Sequence, residues 1–380
     1  MKGPLHVPKR PITLVVLCLL GSALIACASS VKHTPTPSEN WVGIASDVSG
    51  ATNSESHNAL FSVSSDGISE EQLLPPVYFP AFQRYEGGYV TPSREGILFL
   101  DSKLNEVGHE PIPQLGLPTQ SSETSSASND HILWSFNTGT EQSPYQRLVV
   151  ALSDGAVRTI ERDQRLIGSR ICDNGSSQWL EENPHGSAPY KLVTFTSHGD
   201  IFEKELQVPH HHELLSSLSY LGCDQEDSFL VLQDSSGDAA VVSLDRANAV
   251  LSKESSGLDS IPRVNLPRAS LLRDEKLYQF TDEARLSTID FRSSSVTYSE
   301  PLLPPTQKAI SLTFDRDEFY VVSQPHDGGD ELEIRAYALS SPAFKEKGET
   351  IGSLNSLLKA SEDSIPNYVV PLAIYPREPR

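Results

Sequence analysis

Short apolar runs bounded by turn residues recur along the chain at a nearly constant spacing. An aspartate, a brief polar turn and an apolar strand repeat five times, at Asp130, Asp173, Asp224, Asp274 and Asp315, with intervals of 43, 51, 50 and 41 residues. Apolar segments precede several of them, at 170–172, 219–223, 269–272 and 309–314. A further strand follows downstream of each turn, as in Leu148-Val149-Val150-Ala151-Leu152 and Ala240-Val241-Val242-Ser243-Leu244. Turns such as Ser153-Asp154-Gly155 and Ser197-His198-Gly199-Asp200 then lead into a weaker, more polar strand, for which 201–208 is the model case. Period-two alternation between turn signals identifies these runs as β-strands, and no helical periodicity competes with it before residue 350.

Three apolar strands and a polar one, repeating about every 46 residues, form the pattern of a propeller blade. The strand third in each unit begins near residues 60, 98, 148, 192, 240, 286 and 332, which counts seven units. The first unit lacks an innermost strand, and the C-terminal run 368–375 is one to spare. The expected fold is therefore an all-β, seven-bladed β-propeller over 41–380, closed by pairing the end of the chain with its beginning. Eight blades, or two packed β domains, are the alternatives. The polar stretches 118–129 and 252–262 read as exposed insertions.

The first forty residues follow a different pattern. Lys2, Lys9 and Arg10 precede an apolar run over 12–26, too short for a comfortable membrane span. It ends Leu24-Ile25-Ala26-Cys27, followed by Ala28-Ser29-Ser30. This resembles the bacterial lipobox, which implies a signal peptide over 1–26 and a diacylated Cys27 as the mature first residue. Residues 27–40, with Thr34-Pro35-Thr36-Pro37-Ser38, then read as a polar, proline-stiffened tether. The expected location is outside the cytoplasm, lipid-anchored to the cell membrane or an outer membrane.

The net charge of −20 over 380 residues excludes a general nucleic-acid binder. Removing 1–26 takes away three cations and no anions, leaving −23, so an anionic leaflet repels the body and the diacylglyceryl group is the expected membrane contact. Cys18 lies in the signal and Cys27 is the lipid site. Cys172 and Cys223 remain as one candidate disulfide in a compartment where such bonds persist. Against it stands the separation of inner strands in neighbouring blades, which can exceed the 7 Å Cα limit; two buried thiols are the alternative.

Catalytic motifs such as GxSxG, HExxH and CxxC are not found, and no catalytic residue is expected. The recurring aspartates read as turn residues that accept hydrogen bonds from the backbone N–H groups following them. Histidines form the other set: His57, His185 and His326 (with Asp327) fall between second and third strands, and His210, His211 and His212 fall between blades. Those two connection types emerge on the same face, so these residues are a candidate face for a divalent metal or other ligand; no cofactor is otherwise expected. At superfamily level the chain resembles lipid-anchored bacterial propellers of the WD40 or quinoprotein-like kind, and its plan is similar to that of outer-membrane assembly lipoproteins. That resemblance implies a non-catalytic scaffold with an envelope protein partner. An extracytoplasmic propeller enzyme of glycosidase or lactonase type, or a solute or carbohydrate sensor, are the competing readings.

Overall fold

The computed structural model describes residues 41–47, 58–64, 67–75, 77, 81–113, 115, 119–125, 130–139, 146–215, 218–223, 226–258, 261–262, 270–327, 331–339, 349–352 and 369–377. The signal peptide, Cys27 and the tether lie outside them, as do His57 and Asp224. The described residues form seven four-stranded antiparallel sheets in a ring, a seven-bladed β-propeller.

Within each blade the strands run from A, innermost, to D, outermost. Blade 1 is β28 (Val369–Pro376), β1 (Trp41–Asp47), β2 (Asn58–Ser64) and β3 (Gly67–Leu74). Blade 2 is β4 (Gln83–Tyr85), β5 (Gly88–Ser93), β6 (Gly96–Leu100) and β7 (Glu106–Pro111). Blade 3 is β8 (Thr119–Ser125), β9 (His131–Asn137), β10 (Arg147–Ser153) and β11 (Ala156–Arg162). Blade 4 is β12 (Leu166–Ile171), β13 (Ser177–Glu182), β14 (Tyr190–Phe195) and β15 (Ile201–Leu206). Blade 5 is β16 (His212–Leu214), β17 (Ser228–Asp234), β18 (Ala239–Asp245) and β19 (Val250–Gly257). Blade 6 is β20 (Ser270–Arg273), β21 (Lys276–Phe280), β22 (Leu286–Asp290) and β23 (Ser295–Tyr298). Blade 7 is β24 (Gln307–Asp315), β25 (Glu318–Pro325), β26 (Leu332–Ala338) and β27 (Glu349–Gly352).

Two stretches expected as insertions are strands instead. Most of 118–129 is β8, the innermost strand of blade 3, and 252–257 belongs to β19, an outermost one. Their composition, Thr-Gln-Ser-Ser-Glu-Thr-Ser for β8, hid them because it carries no apolar run, whereas the backbone ladder to β9 needs none. In blade 5 the apolar segment 219–223 is not the innermost strand. That strand is the three-residue β16, and the chain then bulges: Leu214 faces Leu232, but Tyr220 faces Phe229, six residues against three.

The second and third strands are buried on both faces, with alternate side chains going to opposite neighbours. On β10, Leu148, Val150 and Leu152 pack toward blade 2, whereas Val149 and Ala151 pack with Trp179 of blade 4. On β17, Leu230 and Leu232 join the cluster with blade 4, and Phe229 and Val231 the one with blade 6. Each apolar cluster therefore belongs to a cleft between blades, and no blade has a private core.

Closure is made by β28, which pairs with β1 from Trp41–Pro376 to Asp47–Val369. Gly43 permits the approach: a Cβ there would lie 2.5 Å from the Ala373 carbonyl oxygen and 2.8 Å from the Phe61 ring. Arg84, on the innermost strand of blade 2, then spans blade 1. Its Nη2 donates to the Pro376 carbonyl at 2.5 Å, its guanidinium lies 5.5 Å from the Tyr375 ring centroid, and its Nε sits 2.7 Å from Oδ2 of Asp315 in blade 7. One buried cation thus ties blades 7, 1 and 2 together over the last turn of the chain.

Burial raises the Asp315 carboxyl above the usual carboxylate range, opposed by Arg84 and Arg316 and reinforced by Glu318. With the folded pKa raised, its contribution to stability is complete below the unfolded value of about 3.9 and is lost as pH climbs through the folded value. Asp315→Asn deprives Arg84 of its countercharge but also removes a carboxylate whose charged form burial disfavours, so at pH 7 it should cost less than loss of the arginine. Arg84→Met leaves a carboxylate unpaired in the interior and should cost about 3–5 kcal/mol. That deficit should shrink as pH falls through the raised pKa of Asp315, and urea unfolding across a pH series measures it. A pH-independent deficit would show that the ion pair is not its source.

Candidate functional site

Because strands alternate in direction, the A–B and C–D turns share one face of the ring and the B–C and D–A connections the other. The first, the turn face, is stitched from blade to blade. Gly155 N donates to the Tyr85 hydroxyl at 2.9 Å across blades 2 and 3, and burial pushes that phenol up to about 12. The ring Nε2 of buried His131 lies 2.8 Å from the Asp173 carbonyl oxygen across blades 3 and 4. Arg273 binds the Arg316 carbonyl at 2.7 Å and Asp317 at 2.8 Å across blades 6 and 7.

The strongest stitch joins blades 4 and 5. Cys172, which follows β12, is disulfide-bonded to Cys223, with Cα atoms 5.6 Å apart and so inside the bonding limit. Beside it Arg170 stacks over Tyr220 at 4.6 Å, donates to the Leu221 carbonyl at 3.2 Å and pairs with Glu226 at 3.1 Å. The same Glu226 oxygen accepts from the Tyr220 hydroxyl at 3.0 Å and from Cys223 N at 2.8 Å. This is where the bulge interrupts the ladder of β16, and covalent and charged links tie the interrupted segment to blade 4.

The five recurring aspartates do not share one role. Asp274 is exposed in a two-residue turn at φ +50°, Asp130 and Asp173 are exposed, and Asp315 is the buried partner of Arg84. Turn capping by carboxylates is seen at Asp101, Asp234 and Asp245, which accept from backbone N–H groups two residues on at 2.7, 2.8 and 2.9 Å. Side-chain bonds from Asn105, Ser236 and Asn248, with those N–H groups, hold the three carboxyls below the usual range.

On the opposite, loop face, blade 4 carries a well-braced B–C loop. Asn183 closes it through N–H to the Pro189 carbonyl at 2.8 Å and Nδ2 to the Ala188 carbonyl at 3.0 Å, while Glu205 accepts from Ser187 N at 3.2 Å. His185 stands exposed at its tip. Gln207 Nε2 donates to the Ser187 carbonyl at 3.2 Å, which sets this loop beside the connection holding His210, His211 and His212. All three are exposed; His211 sits at φ +70°, and His212 opens β16. His326 and Asp327 are exposed on blade 7. Among the described residues no three His, Cys, Asp or Glu side chains are grouped to hold a metal ion.

The sequence pattern did not announce the charged seam between blades 3 and 4. Glu181, wholly buried on β13, binds Arg162 of β11 through Nε at 2.7 Å and Nη2 at 2.5 Å, and Arg162 also reaches Glu203 at 2.7 Å. β13 reads Ser-Gln-Trp-Leu-Glu-Glu, four of its six residues polar, so its sequence gives no sign that Glu181 is buried against a countercharge.

No family model and no curated protein matches the chain. Similar solved structures include a Mycobacterium tuberculosis puromycin-hydrolyzing peptidase, at 13% identity and a TM-score of 0.49, covering 81% of this chain and 50% of that one. The chain thus spans about half the length of that peptidase. The Cps50 (Swd1) β-propeller domain of Myceliophteria thermophila is similar at 12% identity, TM-score 0.40, covering 70% and 83%. Citrobacter koseri AztD is similar at 13% identity, TM-score 0.36, covering 89% and 97%. These likenesses concern the propeller fold alone.

Replacing Cys172 and Cys223 together by serine should cost about 2–4 kcal/mol, the range for a closed loop of this order. Guanidinium unfolding with and without reductant checks it. The native protein should lose that amount on reduction, whereas the double variant should not respond.

Proposed function

We propose that this chain is a lipid-anchored envelope propeller that acts as a non-catalytic scaffold and offers its loop face to a protein partner. The observation that carries the reading is the sidedness of the ring. Trp41 pairs with Pro376, so the chain enters the body on the turn face, the side occupied by stitches between blades. Of the six connections of nine or more residues, four, at 48–57, 138–146, 258–269 and 353–368, depart from the other side, and two, at 215–227 and 339–348, from the turn face. A tether from Cys27 would join the body at Trp41, on the turn face, which leaves the loop-face connections clear of the attachment point.

Rigid strands with variable connections suit recognition of another protein. The negative charge of the chain favours a partner with a basic surface and speeds its encounter at low salt.

Two measurements test the reading separately. Cys27→Ala should move the protein from the membrane fraction to the soluble extracytoplasmic fraction and abolish incorporation of a labelled fatty acid. Unchanged fractionation would overturn the anchor. Photo-crosslinking residues at His185 and His326 in intact cells should yield an adduct with a protein that the same residues at Asp154 and Asp274 do not give. Adducts from the turn-face positions alone would overturn the assignment of faces.

A further inference from the structure

Three cross-strand neighbours at one end of blade 3 share its blade 4 side. Asn137 on β9 is opposite Arg147 on β10, and Arg147 is opposite Arg162 on β11. Directly opposed residues of an antiparallel pair project to the same face. Parity identifies that face, because Val149 and Ala151, in step with Arg147, pack with Trp179 and Val193 of blade 4. Two arginines therefore lie side by side in the seam, at its loop-face end.

Blade 4 supplies carboxylates for one of them. Both oxygens of Glu181 are engaged by Arg162, and Glu203 is divided between Arg162 and Lys191, 3.2 Å away. Arg162 and Lys191 hold Glu203 below the usual carboxylate range in spite of its partial burial. Arg165, just before β12, contacts Glu182 at 3.6 Å with both groups largely exposed. Arg147 is half-buried, and its one polar contact among the described residues is Nη1 to the carbonyl of its neighbour Gln146, at 3.4 Å. Burial, and then the charge of Arg165, hold its guanidinium below the usual range. Its cross-strand neighbour Asn137 spends its side-chain oxygen on Gly139 N at 3.0 Å, which turns the amide nitrogen into a further donor.

The seam thus carries four cations, Arg147, Arg162, Arg165 and Lys191, and four carboxylates, Glu181, Glu182, Glu203 and Glu205, and among the described residues no carboxylate is paired with Arg147. A half-buried guanidinium with no counterion among the described residues has unspent hydrogen-bonding capacity, and its planar fork matches a carboxylate or phosphate group. We propose that Arg147, with Arg165 and the Asn137 amide, forms a site on the loop face for a single oxyanion of carboxylate or phosphate type. The proposal does not depend on membrane anchoring or on the scaffold reading.

The test is isothermal titration of the intact purified body with inorganic phosphate and, separately, with acetate, each at constant ionic strength against a chloride blank. Saturable one-to-one binding is expected for at least one of them, and the two arms separate the phosphate and carboxylate classes. Arg147→Gln should weaken it by at least about tenfold, the equivalent of losing a charge-assisted pair of hydrogen bonds. Arg165→Gln should weaken it less, and Arg94→Gln, an exposed arginine of blade 2, should leave it unchanged. Arg147→Lys keeps the charge without the fork and should still weaken it, which covers the case in which the glutamine variant does not fold. No saturable binding of either anion, or binding equal in Arg147→Gln, would overturn the proposal. So would binding that appears only in Glu141→Gln, because a loop carboxylate would then be the partner of Arg147.

Discussion

Every apolar cluster in this protein depends on the ladder between the last strand and the first. Each cluster lies in a cleft between two blades, so a blade buries its side chains only if both neighbours are present. In an open stack the terminal blades would each leave one face wet. Pairing Trp41 with Pro376 removes both open ends at once, and the cluster around blade 1 then draws residues from blades 7 and 2 as well. Arg84 is the polar counterpart of that cluster, a single guanidinium that touches the backbone of β28, the ring of Tyr375 and the carboxylate of Asp315.

The parts of this architecture readable from the sequence are those with two buried faces. Leu148–Leu152 and Ala240–Leu244 are apolar because neighbours press on them from both sides, and their spacing alone counted the blades. What escaped notice lacks an apolar run. Thr119–Ser125 reads as an exposed insertion yet is the inner strand of blade 3, paired through its backbone with β9. The inner strand of blade 5 shrinks to His212–Leu214, and the apolar residues after it fill a bulge. Asp315 matches Asp130, Asp173 and Asp274 in position, but it is buried where those three are exposed. The Arg147 and Arg162 pair is invisible in one dimension because cross-strand register, not sequence proximity, makes neighbours of residues 15 positions apart.

The two faces of the ring divide the work. Polar links on the turn face run from blade to blade, with the disulfide beside the bulge that interrupts β16. On the loop face, the braced hairpin at Asn183–Pro189 presents His185, and the same edge of blades 3 and 4 holds a cation with no carboxylate partner among the described residues. Rigidity on one side and unspent interaction capacity on the other are properties of one set of strands, read from opposite ends.

The closing strand also sets an order of events. A chain made from its N-terminus delivers Trp41 early and Pro376 almost last, so the edge of β1 waits unpaired while six further blades are synthesised. Blades 2 to 7 can stack as they emerge, but the ring stays open until the final strand arrives. During that interval β1 is a free template for pairing with another chain. Any chaperone that attends this protein should find its task concentrated on that one edge, and a chain ending before residue 369 would keep the edge open for as long as it existed.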